Sequence, residues 1–307
     1  VYLLINIGPE TSKNYFKIIN LETPQNGEKF NESFGSNGEF TFNYNSKSKI
    51  TNKMSFVPPS GDESQSNLYI TGYTNGGASG TQKVMAVWKI SSDGTPPNNP
   101  SAPWGNANES SEFDFFDYTK DISLESNRFG SNYNEVTFNS EGSDITSDGK
   151  GILYIAGYAR VGQNYKEGRV WKMNARTGKI YKDFNNKIGF IPITTPYSNY
   201  SPTLKSANYP QSIYFEKSTD RIWLTGQNIT SSMKQMAVWC YEGSGAPCNI
   251  YSKDGLGHTL SDNAAKKNDY NLNTVFDIED EDIDIGHKIK VGPKDKIIIS
   301  GRSGNNM

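Results

Sequence analysis

Short apolar runs, each closed by a glycine, recur along the chain in one phase. They are Leu68-Tyr69-Ile70-Thr71-Gly72, Leu153-Tyr154-Ile155-Ala156-Gly157, Ile222-Trp223-Leu224-Thr225-Gly226 and Ile297-Ile298-Ile299-Ser300-Gly301. The first three lead into a second run that carries a tryptophan: Val87-Trp88-Lys89-Ile90, Val170-Trp171-Lys172-Met173 and Val238-Trp239-Cys240-Tyr241. In the first run the apolar residues are nearly continuous rather than alternating, which predicts a strand buried on both faces. Its terminal Gly predicts a bulge or a close backbone approach. The shared phase of Trp88, Trp171 and Trp239 predicts large aromatics filling the gaps between neighbouring sheets.

Two further strands complete each unit. A short strand precedes the first run: Met54-Ser55-Phe56, Ser143-Asp144-Ile145, Ser212-Ile213-Tyr214-Phe215 and Lys288-Ile289-Lys290-Val291. Polar turns such as Ser147-Asp148-Gly149-Lys150 and Ser218-Thr219-Asp220 join the two. A fourth strand is expected after Arg176-Thr177-Gly178, over Lys179 to Phe184. Repetition of a four-strand unit predicts an all-β chain, and specifically a β-propeller with about four to five blades represented. The approximate units are 1–50, 51–140, 141–205, 206–285 and a partial 286–307. The glycines at 72, 157, 226 and 301 are spaced by 85, 69 and 75 residues. A four-stranded blade takes about 40–50 residues. The excess falls in polar stretches, Thr95–Asn108 and Thr194–Tyr209, read as long loops, and in Ser252–Asn273, where a short helix is expected near Ala264–Lys267.

Composition agrees with this pattern. Only 34% of residues are hydrophobic, which suits many short strands joined by polar turns. The formal net charge of −2 and the lack of a basic stripe speak against a nucleic-acid partner. The longest apolar run, Val1 to Ile5, is far shorter than the ~20 residues of a membrane helix, so no membrane insertion is expected. Cys240 and Cys248 flank a turn-rich stretch. If they end one strand and start the next, a hairpin brings the sulfurs into bonding range and implies an oxidising compartment; two reduced thiols are the alternative.

A second phrase falls between the units. Asn31 to Asn43, with Phe34-Gly35-Ser36-Asn37-Gly38 at its centre, is repeated at Asn127 to Asn139 and more loosely at Asp183 to Phe190. Together the two phrases resemble the delta-sixty type of β-propeller repeat of bacterial surface and secreted proteins. That family alternates a strand ending in Gly, a strand with an aromatic and a Lys or Arg, an Asp-Gly turn and a Phe-Gly linker. The resemblance implies a propeller and a location at the cell surface or outside it, and it brings no catalytic motif. The first unit reads as lacking its innermost strand, and the last as lacking its outer two. Either the ring closes by sharing strands, which removes exposed edges, or the propeller is larger than this chain. The second reading is favoured, because both ends offer a second strand.

Candidate chemistry is sparse. His258 and His287 have no activated nucleophile beside them. The acidic run Asp277 to Asp284 offers oxygen ligands for calcium, but its spacing matches no calcium loop, and a solvated loop is the simpler reading. No cofactor is expected. Asn-x-Ser/Thr triplets at Asn31, Asn108, Asn199 and Asn228 arise readily by chance in so Asn-rich a chain. The functional expectation rests on the loops leaving the second strands: Asn75–Gln82, Arg160–Gly168, Asn228–Lys234 and Arg302 onward. In a propeller they gather on one face, where Asn75, Arg160, Tyr165, Asn228 and Arg302 suit hydrogen bonding to a glycan or a protein. The chain is therefore read as a non-enzymatic binding, adhesive or scaffolding module. The alternatives are a propeller enzyme acting on carbohydrate or using a quinone, and a subunit of a surface filament or layer whose strands a neighbouring chain completes.

Overall fold

The computed structural model describes residues 2–7, 15–21, 31–42, 49–57, 66–76, 82–94, 115–117, 139–161, 165–187, 189–193, 207–229, 234–248, 274–276, 284–293 and 296–303. The chain is all-β, built of several small antiparallel sheets. Sheet 1 holds β1 (Tyr2–Ile7), β2 (Tyr15–Asn20) and β3 (Glu39–Phe42). Sheet 2 holds β4 (Lys49–Val57), β5 (Asn67–Gly76), β6 (Gln82–Ser91) and β7 (Phe115–Asp117). Sheet 3 holds β8 (Ser140–Ser147), β9 (Ile152–Val161), β10 (Tyr165–Asn174) and β11 (Phe190–Ile193). Sheet 4 holds β12 (Ala207–Glu216), β13 (Arg221–Ile229), β14 (Lys234–Glu242) and β15 (Thr274–Phe276). Sheet 5 pairs β16 (Asp284–Val291) with β17 (Ile297–Ser303). Strands adjacent in sequence are adjacent in space throughout, and no sheet closes on itself among the described residues.

The sheets pack on one another in chain order. Four apolar clusters join them: Phe16, Ile18 and Phe40 with Leu68, Ile70 and Trp88; Tyr69, Met85 and Val87 with Ile155, Trp171 and Phe190; Tyr154 and Val170 with Phe215, Leu224 and Trp239; Trp223 and Val238 with Ile289. Each repeated Trp is buried against the preceding sheet, as expected, and Trp88 meets the edge of Phe16 with ring centroids 5.3 Å apart. The apolar runs of β5, β9 and β13 are covered on both faces because each touches two neighbouring sheets. Alternation is absent for that reason.

The repeated Gly sits at a bulge, also as expected. Register shifts in β4, β8, β12 and β16 leave Asn52, Ser143, Gln211 and His287 as the extra residues, each beside the Gly of the next strand. A Cβ at Gly157, Gly226 or Gly301 would collide with the carbonyl oxygen of Glu141, Tyr209 or Ile285. The bulged residues also tie the sheets together. Asn52 donates its amide to the Gly142 carbonyl (2.7 Å), and Ser143 Oγ donates to Pro210 O. Beside them the buried carboxylate of Asp144 accepts from Ser212 Oγ (2.8 Å), Ile213 N (3.1 Å) and Lys288 Nζ (3.1 Å), linking sheets 3, 4 and 5.

Three expectations need correction. The short first strands are longer than the sequence suggested; β12, for example, begins at Ala207. The fourth strand of sheet 3 is not Lys179–Phe184 but β11. Only Ile180 bridges back to Met173, after which the chain makes a helical turn over Phe184–Lys187. In sheet 1 the sequence places the outer strand in the segment leading to Phe34, but that strand is β3, which follows Phe34–Gly38, because Gly35, Asn37 and Gly38 adopt positive φ and form a turn. Both displacements have one cause. Phe34 and Phe184 are anchors that pack on Gly94 and Gly245, the turn glycines of the following sheet. Gly35 N also donates to Asp93 O (2.8 Å). The expected helix near Ala264–Lys267, the Asn127 copy of the phrase, and the residues of Asp277 to Asp284 before β16 lie outside the described residues.

Candidate functional site

The end of the sheets where second strands turn into third strands gathers polar and aromatic side chains from sheets 2, 3 and 4. Tyr73 and Tyr158 each follow the repeated Gly, and Arg160 lies two residues beyond Tyr158. On β10, Lys166 stands directly opposite Arg160 in the ladder, and Gly168 opposite Tyr158. A Cβ at Gly168 would come within 2.8 Å of Asn208 O and 3.2 Å of Asn208 Cβ. This glycine lets β12 approach, and β12 brings Tyr209 with it. Tyr209 meets the edge of Tyr158 at 5.5 Å between centroids. Lys166 Nζ lies 4.6 Å from the Tyr158 ring centre and 5.4 Å from that of Tyr209.

Glu141 on β8 anchors the other side. Its carboxylate accepts from Tyr158 OH (2.8 Å), Asn52 Nδ2 (2.8 Å) and Lys83 Nζ (3.3 Å). Lys83 in turn lies 4.0 Å above the Tyr73 ring. Burial alone would lower the Lys83 pKa, but Glu141 and Tyr73 outweigh it and hold the ammonium above its usual range. Burial, then the charge and hydrogen bond of Glu141, raise the Tyr158 phenol well above the usual range. Burial also raises Tyr209. Lys166 is lowered, chiefly by burial; Glu141 opposes the shift while Lys83 and Arg160 reinforce it.

Beneath this group lies a pair of buried amides. Asn208 and Asn228 face each other across β12 and β13, each 1% exposed. Asn208 Nδ2 donates to Ile193 O (2.8 Å), but its Oδ1 and both polar atoms of Asn228 have no hydrogen-bond partner among the described residues. Such groups are uncommon in a folded chain and call for an explanation.

Of the expected site residues, Arg160 joins the cluster directly. Asn75 stands opposite Lys83 and Tyr165 opposite Val161, at the tips of the same two hairpins. Asn228 does not sit in an exposed loop but in the floor, where it has no room for a glycan. Arg302, opposite Ile285, belongs to sheet 5, at the position that Tyr158 holds in sheet 3. The disulfide between Cys240 and Cys248 is present, with Cα atoms 5.4 Å apart. His287 is an exposed bulge residue, and His258 lies outside the described residues. Among the described residues no group of His, Cys, Asp and Glu is arranged to hold a metal.

The residues that sequence reasoning passed over are Asn52, Lys83, Glu141, Lys166, Tyr209 and Asn208. Tyr73 and Tyr158 were passed over too; a Tyr directly after the repeated Gly in two of the four units is the signal that could have found them. Nothing local marks Tyr209 or Glu141, which arrive through inter-sheet packing. At the opposite end, a cleft of about 450 Å³ runs between Thr146 and Ser147, the Tyr214–Ser218 turn and Gly292. Its buried carboxylate is already committed: Glu216 accepts from Trp223 Nε1 (2.9 Å) and Thr219 Oγ1 (2.6 Å).

The Tyr–Lys–Glu end can therefore offer to a visiting molecule ring faces and two cations, Arg160 and Lys166, that make no ion pair among the described residues. No family model, curated protein or solved structure matches the chain.

Proposed function

We propose that the chain is a β-propeller-type binding module, working at the cell surface or outside the cell, whose ligand docks on the end surface around Tyr158, Lys166 and Tyr209. The observation that carries this reading is the convergence of these half-buried side chains from separate sheets beside Lys83 and Glu141. A polar rim around aromatic anchors is the usual makeup of a recognition surface. The propeller reading draws support from four-stranded meanders that follow one another in chain order, each bulged at the same place. It also draws on the resemblance to delta-sixty-type repeats. The disulfide favours an oxidising compartment. Purified protein passed over an immobilised glycan panel and a surface-protein extract tests the function. Retention of a ligand that Tyr209→Ala weakens at least tenfold, with unchanged melting temperature, is expected. Retention of nothing, or retention indifferent to Tyr209, overturns it.

A second reading, a subunit completed by a neighbouring copy, is favoured by the outer faces of sheets 1 and 5. Leu3 and Ile5 are 43% and 38% exposed, and Ile298 is 56% exposed. Their repeat equivalents are at most 1% exposed, Leu68 and Ile70 covered by sheet 1 and Tyr154 by sheet 4. A sheet from another copy would fit either face. Concentration-dependent sedimentation that Ile298→Lys abolishes is the expected sign.

A further inference from the structure

The cations of the end surface are arranged against their own interest. Arg160 and Lys166 are directly opposite in the β9–β10 ladder, and like charges in that relation repel. Neither makes an ion pair among the described residues. Glu141, the carboxylate of the cluster, is already engaged by Asn52, Lys83 and Tyr158. Lys166 is half-buried over two tyrosine rings, so water screens it poorly. Asn208, next to Tyr209 on β12, and Asn228 opposite it are buried, and Asn208 Oδ1 and both polar atoms of Asn228 have no hydrogen-bond partner among the described residues.

The opposed cations beside the tyrosine rings ask for one anionic group attached to a ring with an apolar face. We propose that the surface between β9, β10 and β12 is a binding site for an acidic saccharide, with the sugar carboxylate held between Arg160 and Lys166. A carboxylate there neutralises two cations that now face each other, and a guanidinium matches its planar geometry. The Tyr209 and Tyr158 rings offer apolar faces to a pyranose ring, and the Tyr158 and Tyr209 hydroxyls and Asn52 at the rim suit the sugar hydroxyls. The patch is compact, centred on one cross-strand pair, which suits a single charged sugar ring more than the repeated charges of an acidic peptide. The inference deepens the binding-module reading above and rests on it.

Trigalacturonate, its neutral methyl ester and a hexaglutamate peptide are titrated into the full chain by calorimetry at low and physiological salt. Trigalacturonate is expected to bind, at least tenfold more tightly than the ester, and to weaken with salt. Arg160→Gln and Lys166→Gln should each weaken it at least tenfold. Without ligand, each of these variants should melt at the same temperature as the parent or higher, because the opposed charges are relieved. Acid and ester binding equally well, or either variant leaving affinity unchanged, overturns the acidic-saccharide site while the binding module stands. Hexaglutamate binding more tightly than trigalacturonate also overturns it. Failure of all three probes here, together with an empty panel in the previous experiment, overturns both readings.

Discussion

A single missing Cβ shapes sheets 3, 4 and 5, at Gly157, Gly226 and Gly301. At Gly157 the bulge in β8 presses the Glu141 carbonyl against the Cα, so no side chain fits without moving the strand. Gly157→Ala is expected to destabilise the fold by about 1–3 kcal/mol, the usual cost of overpacking, seen as a lower urea midpoint with unchanged slope. Glu141 also belongs to the surface cluster, so the same substitution should disturb ligand retention. The phenols give a second handle. Burial, followed by the charges of Asp220 and Asp148, raises Tyr154 well above an ordinary tyrosine, and Tyr158 is raised likewise. The folded chain therefore keeps protons that the unfolded chain releases near pH 10. The stabilising contribution is complete below that pH and falls as pH rises above it. Melting temperatures taken upward from pH 9 should drop, and Tyr158→Phe should flatten the drop; an equal drop in the variant would show that this phenol is not responsible. The Gly was legible in the sequence as a repeated phase; the Tyr after it recurs in only two of the four units and was not singled out. Glu141 was not legible, because its partners lie 17 to 89 residues away.

The strand pairs explain why elements placed by local pattern held in some places and shifted in others. Second and third strands carry their own signal, since burial on both faces demands continuous apolar residues and a Trp at the inter-sheet gap. Trp171→Ala should cost about 3–5 kcal/mol, because Trp171 is fully buried against sheet 2. Fourth strands carry no such signal. Ile180 and Tyr181 look as strand-like as Ile191 and Ile193, yet Phe184 is claimed by the turn at Gly245, and the chain pairs again only at Phe190. The same device at Phe34 and Gly94 shows what the repeated linker phrase is for: it plugs one unit into the next. In sheet 4 the disulfide closes the turn after β14, with Cys248 N also donating to Cys240 O (3.2 Å). Closing so short a loop stabilises by about 2–3 kcal/mol. A Cys240→Ala, Cys248→Ala double variant should lose that much in denaturant titration, and dithiothreitol should then have no further effect on it.

For the whole molecule, packing in chain order has two consequences. The interfaces between sheets are alike, so Trp, Gly and bulge recur; among the described residues the outer faces of sheets 1 and 5 have no such partner, and Leu3, Ile5 and Ile298 are exposed. If a second copy covers those faces, Ile298→Lys should lower the association seen at sedimentation equilibrium without lowering the melting temperature; association unchanged by the variant would rule that surface out. The sequence by itself determined that the chain is all-β, repeats a strand-turn-strand unit, buries its tryptophans between sheets and bends at its glycines. Those features follow from local sterics and from burial, which act on neighbouring residues. Only the tertiary structure decided where the candidate site lies. Tyr209 reaches Tyr158, Asn52 and Lys83 reach Glu141, and Asn228 becomes a floor and not a loop tip, because sheets from distant parts of the chain meet there. Electrostatics follows that meeting: Arg160 and Lys166 become an uncompensated pair only once the β9–β10 register sets them face to face and Glu141 has been claimed by others.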